Sequence, residues 1–137
     1  MLVDEEEYDR WMRQARHSIK SAKSDLLEED FDWASFKAHQ AGEYAIKALL
    51  KGLGKEAFGP SVSFLLKKIT APEGLIEKAK RLDKHYLAPR YPNQWSEGAP
   101  IDYYTKLDAE EAINIAEEII SWIESCMEQL KKEERKD

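Results

Sequence analysis

Arg90 is the residue whose surroundings best suit it to meet an anion. It lies in LDKHYLAPRYPNQW, Leu82 to Trp95, between Pro89 and Pro92 and among Tyr86, Tyr91 and Trp95. The prolines restrict their own φ and steer Ala88 and Tyr91 away from helix. The aromatic rings can pack back on a core and leave polar atoms at the rim. A loop this stiff would hold a planar guanidinium in one orientation, as bidentate recognition of a carboxylate or phosphate requires. The competing use is internal: Arg90 capping a helix C-terminus, or paired with Glu43 or Asp83.

Two other polar sets have helical spacing. His39, Gln40, Glu43, Lys47 and Lys51 mostly recur every three or four residues, so they stack on one face. Arg10, Arg13, Arg16, His17, Lys20 and Lys23 form a basic stripe, which suits either phosphates or nearby carboxylates. No glycine-rich phosphate loop, zinc-protease motif or serine-nucleophile elbow is present. The single Cys126 excludes an intramolecular disulfide and a thiolate zinc cluster. No metal or cofactor is expected.

The elements that must position these residues read as helices throughout, with no alternating strand pattern. A first helix runs from about Asp4 to Glu28, its Trp11, Met12, Ala15, Ile19, Ala22 and Leu26 within an arc of about 100°. A second, from about Asp32 to Leu53, is apolar over about 200°, from Trp33 round to Leu49, and reads as the most buried. SVSFLLKKI supplies a short third helix capped by Ser61 or Ser63, and APEGLIEKAKRLDKHY a fourth with Pro72 in its first turn. An irregular stretch follows, from about Leu87 to Lys106. Asp108 then opens the last helix, with Glu111 as a capping-box partner.

In that helix Ile115 and Trp122, seven residues apart, widen the apolar face. They fit either a contact with a second copy or a broader internal core. The tail from about residue 131, KKEERKD, should fray. The sum is a single all-α domain over residues 1–137: an up-and-down four-helix bundle with a short extra helix and one long proline- and aromatic-rich loop.

Composition bounds what such a bundle does. The chain has 137 residues and a net charge of -6, which argues against coating nucleic acid through its overall field but leaves room for a local basic patch. No apolar run approaches the length of a membrane span, and MLVDEEEYD is no signal peptide. A cytoplasmic protein is expected.

Three stretches together carry a resemblance: SFKAHQAGEYAIKALLKGLG, SVSFLLKKI, and LDKHYLAPRYPNQWSEGAPIDYYTKLDAEEAINIAEEI. The ordered Tyr-x-x-x-Arg-Tyr-Pro loop, Tyr-Thr pair and Asp-Ala-Glu helix start, supported by His39 to Ala48, resemble the HEPN family, roughly from Trp11 to Ile123. That resemblance implies a prokaryotic homodimeric bundle, of the kind met in toxin–antitoxin systems, acting with a nucleotidyltransferase protein. It also implies nucleotide or RNA as ligand. A phosphate site would use Lys47 and Arg90, with His39, Gln40 and Glu43 as its wall and Tyr91 or Trp95 stacking on a base. Ile115 and Trp122 would face the second copy.

Some members are metal-independent ribonucleases that use an Arg and a His with four to six residues between them. Here the sequence departs from the pattern: the corresponding positions after Arg90 are Trp95, Ser96 and Glu97. Arg81 and His85 have only three residues between them. The alternative of an endoribonuclease would have to use Arg90 with His85 or His39, since a near-neutral histidine is the natural proton carrier. A structural dimer module is a third reading. A binding and interaction subunit is the reading the residues favour.

Overall fold

The structure, a computed structural model, describes residues 2–136. Its helices are α1 (Glu5–Leu27), α2 (Phe31–Gly52), α3 (Val62–Lys68), α4 (Glu73–Asp83), α5 (Pro100–Tyr103) and α6 (Lys106–Lys136). A 3₁₀ turn spans Pro92–Gln94, and the described residues contain no strand. The all-α bundle with a short extra helix and a long connection after α4 is therefore the observed architecture.

Ion pairs record the chain directions. Arg16 meets Glu124 and Lys23 meets Glu117, so α6 descends where α1 climbs. Lys78–Glu118 and Arg81–Glu111 set α4 against α6 in the same antiparallel sense. Exposed pairs of this kind contribute little energy. The stabilising surface is α2, which touches every other α-helix. Its Ala34, Ala38, Ala41, Ala45 and Ala48 are fully buried, and such small side chains allow close helix approach. At Gly42 a Cβ would come within 3.0 Å of Leu82 and 3.3 Å of Val62.

Several local expectations shift. The capping box of the last helix lies one turn earlier than Asp108–Glu111. Thr105 Oγ1 accepts from Asp108 N at 3.2 Å, and Asp108 Oδ2 accepts from Thr105 N at 2.9 Å. The charged tail is helical: α6 runs through Lys136, and Glu134 accepts from Val3 N at 2.7 Å. Trp33, read as part of the buried face, is 46% exposed in the first turn of α2. Ile115 is 3% exposed within the single chain, in the core beside α4, so of the Ile115/Trp122 flank only Trp122 reaches the surface.

Candidate functional site

The long connection closes the end of the bundle where α2 begins, α4 finishes and α6 starts. Its first anchor is Asp83, the last residue of α4. The Asp83 carboxylate accepts from Val62 N at 2.6 Å and Ser63 Oγ at 2.5 Å. It also accepts from Ser61 Oγ at 3.1 Å. This fixes the C-terminal end of α4 to the N-terminus of α3, where a carboxylate also suits the helix dipole. Beyond it Pro89 is fully buried. The Trp95 indole donates to the Ala88 carbonyl at 2.9 Å and stacks on Tyr103 at 4.1 Å. Two of the loop aromatics thus pack inward as the sequence predicts, Trp95 on α5 and Tyr86 on His39. Tyr91 stays 44% exposed.

Within this clasp Arg90 Nε donates to the Tyr86 carbonyl at 2.9 Å. Its guanidinium carbon lies 4.2 Å from the centre of the Phe36 ring, 4.8 Å from Tyr86 and 5.1 Å from Tyr91. The internal reading of Arg90 is partly met. One N–H serves a carbonyl in the turns after α4, as a cap would. Neither Glu43 nor Asp83 pairs with it, and no carboxylate among the described residues does. Three rings hold a cation whose other donors meet no protein acceptor among the described residues, and each cation–π contact contributes roughly 0.5–2 kcal/mol according to its exposure.

His39, placed by its spacing on a polar stripe, is instead fully buried. Its Nε2 lies 2.8 Å from the Pro60 carbonyl, which can only accept, so Nε2 carries the proton. Nδ1 is then an acceptor, buried and without a partner among the described residues. Burial holds the His39 pKa below the ordinary histidine value, and the nearby Arg90 pushes it the same way. The ring packs against Tyr86 at 5.4 Å. His39 thus packs on Tyr86, one of the rings around Arg90.

His85 takes another direction. Its Nδ1 pairs with the Tyr104 hydroxyl at 2.9 Å, and burial lowers its pKa. It lines a small cavity of about 230 Å³ with Lys84, Trp95, Tyr103 and Asp108. The sequence reading sets Lys47 beside Arg90 as a second phosphate ligand. The structure commits its ammonium to Glu43 at 2.8 Å, both side chains being largely buried. Lys47 also lies eleven positions beyond Phe36 on α2, roughly 16 Å along the axis. Gln40 is half-buried between these two regions.

The basic stripe of α1 is divided. Arg10, Arg16 and Lys23 pair with Glu7, Glu124 and Glu117, while Arg13, His17 and Lys20 are exposed with no ion pair among the described residues. No trio of His, Cys, Asp or Glu is gathered for a metal among the described residues. Sequence reasoning missed Phe36, the ring under Arg90. Its signal was available: it precedes His39 by three residues on the same helix face.

Fold and site together define a small helical-bundle domain with a polar and aromatic end. The chain belongs to the HEPN family: the HEPN domain model matches residues 8–126. Solved structures agree. The crystal structure of TT1696 from Thermus thermophilus is 39% identical, with a TM-score of 0.83 over 86% of this chain and 96% of that one. ST0689, an archaeal HEPN homologue, is 36% identical with a TM-score of 0.76, over 86% and 95%. A HEPN domain protein (tm0613) from Thermotoga maritima is 32% identical with a TM-score of 0.71, over 87% and 98%. No curated protein matches.

Proposed function

We propose that this HEPN domain is a dimeric binding and interaction subunit that acts with a nucleotidyltransferase protein and holds a nucleotide phosphate at Arg90. The observation that carries the phosphate site is the guanidinium itself: caged by Phe36, Tyr86 and Tyr91, and free of any carboxylate among the described residues. A guanidinium already fixed loses little freedom on meeting a phosphate. Half-exposed Tyr91 is the natural stacking surface for a base. His39 supports the cage from behind. The Glu43–Lys47 pair, with Gln40 beside it, serves as a second charged element of the same helix. The partner and the dimer rest on the family resemblance.

The endoribonuclease alternative draws less support. A proton-transfer histidine must reach the scissile phosphate, yet His39 is sealed under Pro60 and His85 is tied to Tyr104. Calorimetry with ATP, GTP and a short single-stranded RNA, with the same samples assayed for cleavage in EDTA, tests both readings. Saturable nucleotide binding without cleavage is expected, and Arg90→Ala should weaken it at least about tenfold, the worth of one strong charge-assisted contact. Unchanged affinity in Arg90→Ala would remove Arg90 from the site. Cleavage of RNA in EDTA, lost in Arg90→Ala, would establish the ribonuclease instead.

A further inference from the structure

At the opposite end of the bundle, the C-terminal ends of α2 and α3 and the second half of α6 line an open groove of about 470 Å³. Leu49 and Leu53 form one wall, Leu130 and Cys126 the other, with Lys55 and Lys68 among its lining residues. Leu49 lies thirteen positions beyond Phe36 on α2, roughly 20 Å from the Arg90 cage. We infer that this groove binds a soluble anionic amphiphile, a medium-chain carboxylate whose tail lies on the leucines and whose head meets Lys55 and Lys68.

Charge supports the anion. The chain carries a net charge of -6, and the two grooves beside α4 and α6 are lined by Glu117, Glu118, Glu110 and Glu111. The leucine groove has no acidic lining residue and two lysines. Both lysines are available to an anion: neither Lys55 nor Lys68 has a carboxylate partner among the described residues. Two unneutralised ammonium groups beside apolar surface are complementary to a ligand with a negative head and a hydrocarbon tail.

Size suits a small ligand. The volume falls in the usual range of small-molecule sites, about 300–1,000 Å³. A carboxylate with a single alkyl tail fits the space, and removing its methylenes from water favours binding.

Cys126 is the only cysteine of the chain and lines the groove, so its alkylation reports occupancy directly. Burial raises its thiol pKa, and the iodoacetamide reaction is best followed in mildly alkaline buffer. Decanoate below its micelle concentration should slow the reaction saturably. Decyltrimethylammonium, with the same tail, should need at least about tenfold more for the same effect. The exposed double variant Lys55→Glu/Lys68→Glu, checked for helicity by circular dichroism, should abolish that preference. Equal protection by both amphiphiles, or none by either, would overturn the proposal. So would protection that grows with protein concentration in the absence of ligand, because a second copy would then cover the groove. Co-flotation with anionic vesicles without protection by decanoate would overturn it too.

Discussion

Three helices end in the same hydrogen-bonded turn but with different residues at its left-handed position. After α2 that residue is Gly54, at φ 72°, and the bonds Lys55 N to Leu50 O and Gly54 N to Lys51 O complete the motif. After α1 and α3 the same position holds Glu29, at φ 65°, and Thr70, at φ 54°. Side chains are strained in this conformation, a β-branched one most of all. Replacing Thr70 by glycine should therefore stabilise the fold by about 1 kcal/mol, the relief of strain outweighing the added freedom of the unfolded chain. Urea unfolding checks this, and a destabilised Thr70→Gly would show that the threonine side chain makes a contact worth more than its strain. The glycine-marked end is legible in the sequence, since Gly52 and Gly54 announce it. The other two are not, because nothing local signals a left-handed Glu or Thr.

At the scale of elements, Asp83 matters more than its place in the chain suggests. It is the terminal residue of α4, yet its carboxylate accepts from two serine hydroxyls and two backbone amides at the start of α3. Ser61 is read from the sequence as the N-cap and does accept from Phe64 N at 3.3 Å. The stronger cap arrives from another helix, which no local pattern discloses. Removing it leaves buried donors without partners, and Asp83→Ala should cost about 2–3 kcal/mol of unfolding free energy. Amide hydrogen exchange should localise the first loss of protection to residues 61–66. Uniform loss across the bundle would mean that α3 does not open separately.

For the whole molecule, pH is the informative variable. His39 and His85 both have pKa values held below the ordinary 6.5 by burial. The unfolded chain therefore binds protons at these sites before the folded one does. Their contribution is fully present above pH 6.5 and is lost as pH falls below it, at up to about 1.4 kcal/mol per pH unit for each histidine. Thermal unfolding between pH 7.5 and 5.5 should show the decline. His39→Gln, which keeps a donor for the Pro60 carbonyl but does not titrate, should flatten it by about half. Assembly belongs to this scale as well. The proposed homodimer would use Trp122, half-buried beside Pro72 and Leu75. Trp122→Asp should shift a sedimenting dimer toward monomer, and an unmoved boundary would place the contact elsewhere.

Helical periodicity alone determined that this chain is a helical bundle, because apolar faces at 3.6-residue spacing can be buried only against one another. Turn chemistry located the long loop, and Arg90 within it was legible because two prolines and three aromatics leave an arginine little freedom. The tertiary structure decided what those residues face. His39 shares its spacing with Gln40 and Lys47, yet the loop between α2 and α3 covers it with the Pro60 carbonyl. Ile115 lies outside the main apolar arc, yet it belongs to the core beside α4. Lys47 and Arg90 look like partners in the sequence, but the rise of a helix keeps them apart. Periodicity describes one helix at a time, and burial is a property of the neighbours that cover it.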